Sequence, residues 1–314
     1  MWRRSIFLAP LIFCAAPGLA QEGGGEPSAL ACNDFKSEAA RVLAQSPDTL
    51  QINNLLFEAA RKGCVSALDT LLKSGASLQA RDRIGNVALA IAARMGRLAF
   101  AKALLGAQTP ADGDQLDRAN VAGSTPLIQA AQANRIAVAE MLVEAGAQVD
   151  AVNRQGETAL SAAAFNGNAE LAQMLIARKA APDTVDATGK GVMIYAAARG
   201  ATRVVEMLLD AGVDPNRRYH ADLTALMWAA GRPDNVSEAD ALQTVKLLLS
   251  RGAKIDFVDD RGMSALMIAA SLDHASIVQA LLDAGADRAL RDKKGKSAAD
   301  LAGGAEARAI VMAP

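Results

Sequence analysis

Between residues 48 and 302 one pattern recurs along this chain: a turn glycine, a small hydroxyl residue, an apolar pair, Ala-Ala, Leu-Leu, then Gly-Ala. The turn glycines are Gly85, Gly123, Gly156, Gly189, Gly262 and Gly295, with Asp222 standing where another would fall. Their spacings are 38, 33, 33, 33, 40 and 33 residues. Ala-Ala pairs recur at 59–60, 92–93, 130–131, 163–164, 196–197, 229–230 and 269–270. A unit this short cannot bury its own apolar face, so it must stack on the next one. Composition agrees. Apolar residues make up 51% of the 314, but aromatics only 4%, so Ala and Leu must fill the interior.

The residues also resemble a known family. Gly123-Ser124-Thr125-Pro126-Leu127 carries a Thr-Pro-Leu helix start, and Gly156-Glu157-Thr158-Ala159-Leu160, Leu223-Thr224-Ala225-Leu226 and Gly262-Met263-Ser264-Ala265-Leu266 are variants of it. With the 33-residue period, this resembles the ankyrin repeat. The resemblance implies an all-α solenoid of about seven repeats over residues 47–303. The hydroxyl serves as N-cap, Pro is tolerated at the first helical turn, and Gly ends the second helix. A degenerate half-repeat, Asp292 to Leu301, reads as a C-terminal cap, and 304–314 as a tail. The chain departs from the family in places. Ile128, Ser161, Ile194, Met227 and Met267 replace the usual His, so apolar contact must substitute for a hydroxyl–imidazole network. Val87 replaces a capping Thr. Extra residues are expected within Gln108 to Gln115, and between the helices of the sixth repeat around Pro233 to Ala241.

Residues 1–20 read as an export signal: Arg3-Arg4, an apolar run from Ser5 to Ala16, then Pro17-Gly18-Leu19-Ala20 with small residues before the cut. The run is too short for a membrane-spanning helix, which needs about 20 apolar residues. Two other readings fit less well. Leu11-Ile12-Phe13-Cys14 has bulky Phe13 where a lipobox wants a small residue, and the residues after Arg3-Arg4 fit a twin-arginine signal poorly. Residues 21–46 then hold a Gly-rich linker and a cap helix, Ala29 to Ala44. Removing 1–20 shifts the net charge from −1 to −3 and leaves Cys32 and Cys64. An even pair in an exported chain suggests a disulfide that fastens the cap helix to the first repeat. The alternative is two separate buried thiols.

No constellation argues for catalysis. Gly295-Lys296-Ser297 lacks the glycine a phosphate loop needs five residues earlier, where Leu290 stands. There is no His-Glu-x-x-His and no Gly-x-Ser-x-Gly, and Asp256, Asp259 and Asp260 lack calcium-loop spacing. No cofactor or metal is expected, and the chain is expected not to be an enzyme. Charge of 33 basic against 34 acidic residues argues against a nucleic-acid partner, and after signal removal no membrane insertion is expected.

The family resemblance implies protein binding through a concave groove of hairpin tips and first helices. It places Phe165, Tyr195, Arg199, Trp228 and Arg232 on or near first helices of three consecutive repeats, and Tyr219 and His220 in the hairpin before Trp228. Trp, Tyr and Arg dominate binding hot spots. The alternative is semi-buried packing, since Ile91, Ala162 and Ile268 occupy the position of Tyr195 and Trp228. The expectation is a monomeric, non-catalytic interaction module in the periplasm. By resemblance it would support or restrain a periplasmic enzyme, in catalase-type peroxide defence or wall-hydrolase self-protection. The alternative is a secreted effector that binds a host protein through its concave surface.

Overall fold

The computed structural model describes residues 29–108 and 115–313. The expected export signal, linker residues 21–28 and the insertion expected after Gln108 lie outside the described residues.

Each repeat becomes a helix pair. The first row of helices is α2 (Thr49–Lys62), α4 (Ala88–Met95), α6 (Pro126–Gln132), α8 (Ala159–Asn166), α10 (Val192–Ala198), α12 (Ala225–Ala230), α14 (Ala265–Ser271) and α16 (Ala298–Leu301). The second row is α3 (Val65–Lys73), α5 (Leu98–Ala107), α7 (Ile136–Glu144), α9 (Ala169–Ala177), α11 (Thr202–Asp210), α13 (Glu238–Ser250), α15 (Ala275–Asp283) and α17 (Ala305–Met312). Ahead of both rows lies α1 (Ala29–Leu43). Each helix packs on its pair partner and on the neighbouring helices of its own row. Among the described residues β structure is limited to two isolated bridges, Val185 to Gly191 and Val258 to Ser264. The chain is an all-α repeat solenoid.

All the first-row helices but α4 and α10 start where a side-chain oxygen takes an orphan backbone N–H. Thr125, Thr158, Thr224 and Ser264 each accept from the N–H three residues on. Asp48 does so in a reciprocal capping box with Gln51. Val87 makes no such bond and is fully buried instead. The Ala-Ala pairs are all buried to 1% exposure or less, which lets successive first helices approach closely. The Leu pairs split. Leu71, Leu104, Leu208, Leu248 and Leu281 are core, while the Leu after each is half-buried, because successive helical residues point about 100° apart. The apolar substitutes for His are interior as expected: Ile128, Ile194, Met227 and Met267 are each 1% exposed. Ser161 closes a capping box with Thr158.

Three features differ from expectation. The C-terminal cap is degenerate, with only four residues in α16, yet it is a full helix pair. Residues 304–314, read as a tail, carry α17, which buries Ala307 and Val311 against α15. Those two residues share a face at i, i+4 spacing, and that face has a partner only in the folded stack. The sixth-repeat insertion is not all loop, since α13 runs thirteen residues where α11 and α15 have nine. Ser237 caps it, and Glu238 and Asp240 favour the helix N-terminus.

At the other end Cys32 and Cys64 are joined, with Cα atoms 5.4 Å apart. The bond holds α1 on the first repeat, where Phe35 is 1% exposed and the Lys62 ammonium lies 5.4 Å from its ring centroid. Among the described residues no helix is long and apolar enough to cross a membrane.

Candidate functional site

The hairpins that separate repeats are Asx turns. Asp82, Asn120, Asn153, Asp186, Asp259 and Asp292 stand three residues before the turn glycine, and each Oδ1 accepts from the N–H groups two and four residues on. This Asp/Asn-x-x-Gly signal is present in the sequence and marks the hairpins independently of the helices. One hairpin breaks the rule. Tyr219 replaces the Asx residue, and Ala221 and Asp222 take left-handed φ values of 60° and 59° without glycine.

These hairpins set the surroundings of the candidate aromatics. Phe165, half-buried at the end of α8, meets the Tyr195 ring edge-on, with centroids 6.1 Å apart and planes at 81°. Arg199 is the C-cap residue of α10, and its guanidinium lies 5.4 Å from the centroid of Phe165. Tyr195 itself is interior, 5% exposed, and its hydroxyl donates to the second carboxylate oxygen of Asp186. Burial, then the Asp186 carboxylate, push that phenol well above its ordinary range, so it stays a neutral donor.

Trp228 is half-buried on α12, with the Lys190 ammonium 5.8 Å from its ring centroid. Lys190 comes from the hairpin before α10, one repeat earlier, so this pair also joins two repeats. Tyr219 is interior, 9% exposed, beneath Arg217 at 5.3 Å from its centroid, and its hydroxyl lies 3.4 Å from Asp183. Arg217 also pairs with Asp183. Burial raises the Tyr219 phenol to about 12. His220 is exposed, with its backbone N–H donating to the Gly189 carbonyl at 3.0 Å. Arg232 donates to the Val236 carbonyl at 2.9 Å and so holds the sixth-repeat insertion beside α12.

The seven candidate residues therefore divide. Phe165, Arg199 and Trp228 present apolar and cationic surface across the fourth to sixth repeats. Tyr195 and Tyr219 lie beneath that surface and position it, Arg232 organises the insertion, and His220 sits at a hairpin tip. The sequence reading misses Lys190, Arg217 and Phe257, the last flanked by Arg218 at 4.7 Å and Lys254 at 5.0 Å. For Lys190 and Phe257 the signal is a hairpin cation paired with an aromatic one repeat on, while Arg217 stacks on Tyr219 within the same hairpin. Among the described residues no group of three or more His, Cys, Asp or Glu could hold a metal ion.

The family model described as ankyrin repeats (3 copies) matches the chain in six overlapping stretches: 56–153, 89–186, 127–219, 162–238, 192–292 and 226–311. No curated protein gives a significant match.

Proposed function

The chain belongs to the ankyrin-repeat family, whose members are protein–protein interaction modules, and from that premise we propose that it captures a partner protein on the fourth to sixth repeats without catalysing a reaction. The carrying observation is the pair of cation–aromatic contacts that cross repeats at the surface, Arg199 on Phe165 and Lys190 on Trp228. Rigid aromatic and Arg side chains supply much contact area at low entropic cost, and such residues carry most of the energy of an interface. The buried tyrosines hold this surface in one conformation before binding, which lowers the cost of association.

The compartment belongs to the same proposal. Residues 1–20 have the order of a secretory signal. The Cys32–Cys64 bond is of a kind that persists in oxidising compartments. A periplasmic site with an enzyme as partner, supported or restrained by the solenoid, is consistent with both.

Cross-linking in intact cells with wild type, Trp228→Ala and Arg199→Glu tests the surface. Both variants should melt close to wild type and lose the cross-linked partner. Undiminished capture by folded variants would remove this surface as the site. Fractionation tests the compartment, since recovery in the culture medium would favour a secreted effector.

A further inference from the structure

The turn that links the two helices of each repeat forms a second edge of the solenoid, away from the hairpin tips. At this edge the residue just before the second helix reaches back to the preceding repeat. Arg97 Nε donates to the Arg61 carbonyl at 2.9 Å, and Arg135 Nε donates to the Arg94 carbonyl at 3.3 Å. Both stems run over a glycine: a Cβ on Gly63 would come within 2.9 Å of Arg97 Cδ, and one on Gly96 within 2.9 Å of Arg135 Cδ. Arg61, Lys62, Arg94, Arg97 and Arg135 are thereby laid in a continuous row over the first three repeats. Arg61 and Lys62 pair with Glu58. Arg94 and Arg135 form no ion pair among the described residues.

Helix electrostatics alone does not require these cations. Every first-row helix presents its negative end at this edge, but only α2 and α4 carry basic residues in the last turn. The helices α6, α8, α12 and α14 carry none there, α10 has only Arg199 at its C-cap, and all fold the same way. We propose that this basic edge of the first three repeats is a docking surface for an acidic, extended polypeptide segment of a partner. A polypeptide fits better than a nucleic acid. The aromatic side chains of α1, α2 and α5, namely Phe35, Phe57 and Phe100, are buried and offer no stacking platform.

The experiment is binding of fluorescent poly-L-glutamate to the full chain. Binding is expected to weaken sharply as salt rises toward about 1 M, where the screening length falls to ~3 Å. Arg61→Glu with Arg94→Glu, both exposed sites, should weaken it about tenfold or more. The reversal control Arg178→Glu with Lys179→Glu, exposed residues on a different surface, should not. If the double reversal unfolds the chain, Arg61→Gln with Arg94→Gln removes the same charge without adding acids. Four outcomes would overturn the proposal: equal loss in the control, no loss in either arginine variant, tighter binding of a single-stranded oligonucleotide or anionic vesicles through the same arginines, or self-association that disappears in the variants. Trp228→Ala should leave poly-glutamate binding unchanged, which separates this edge from the aromatic surface.

Discussion

The Tyr219 ring occupies the space that any side chain at Gly191 would need: a Cβ there would lie 2.1 Å from Tyr219 Cε1. The two departures from the repeat pattern are therefore one event. Gly191 stands where other repeats place a capping Thr or Ser, and α10 has no side-chain cap. Tyr219 stands where other hairpins place the Asx residue, and its N–H still pairs with the Leu223 carbonyl in the common hairpin geometry. One repeat has given up a cap, and the next an Asx turn, to bury a tyrosine between them.

Gly191→Thr alone should destabilise by about 1–3 kcal/mol through overpacking. In a Tyr219→Asn background the same change should become neutral or favourable, because cap and Asx turn are both restored. A double-mutant cycle by urea denaturation measures the coupling, and additive effects would contradict the pairing.

The Cys32–Cys64 bond closes a sequence separation of 32 residues. On the chain-entropy model such a closure is worth about 3–4 kcal/mol. Cys32→Ser should therefore lower the melting temperature, and added dithiol should lower that of wild type but not of the variant. Amide exchange should show the loss concentrated in α1 and the first repeat.

His274 is buried, and its Nδ1 lies 2.9 Å from the Ala230 carbonyl. Burial comes first among the influences that hold its pKa below the ordinary value of 6.5. The Ala230 carbonyl raises it, Arg232 lowers it further, and Glu238 and Asp234 act the other way. With the folded pKa depressed, the unfolded chain binds the proton more readily. This contribution to stability is thus complete above about pH 6.5 and is lost as pH falls toward the folded value. Urea midpoints should fall between pH 7.5 and 5.5 in wild type and fall less in His274→Gln. Parallel curves for the two proteins would assign the acid sensitivity elsewhere.

Lys179 ends the second helix of the fourth repeat at φ 65°, where Gly75, Gly146, Gly212, Gly252 and Gly285 serve the first, third, fifth, sixth and seventh repeats. The Ala180 N–H still reaches the Leu175 carbonyl at 2.9 Å, so the turn is the same. Lys179 is exposed. Lys179→Gly should stabilise by about 1 kcal/mol by removing the left-handed strain. A lower melting temperature would mean the lysine has a contact that outweighs it.

Much of the fold was legible because its signals are local. Thr125, Thr158 and Thr224 cap helices that begin within the next residue, and the Gly-Ala turns close helices that have just ended. The hairpin Asx turns are equally local, although the glycine, Ala-Ala and Leu pattern does not itself point to them. The candidate site was less legible. Tyr195, Tyr219 and Trp228 look alike in sequence, yet the first two are interior and the third is half-exposed. The surroundings of each include a residue about one repeat away: Phe165 for Tyr195, Gly191 for Tyr219 and Lys190 for Trp228. The segment after Gly304 read as a tail for the same reason, since its burial depends on α15.

The backward reach at the second edge shows where local information stops. Arg97, Arg135, Asn168 and His274 stand at one position of the repeat and differ completely in chemistry, but each bonds to the repeat before it. Cys64 holds that position in the first repeat and makes the link covalently to α1. The sequence by itself determined the repeat length, the helix starts and stops, and the Ala and Leu faces, because those follow from backbone caps and side-chain spacing within about 33 residues. Only the stacked structure decided which side chains meet across a repeat boundary, and so which aromatics and arginines remain at the surface, because that burial comes from a neighbour and not from the residue itself.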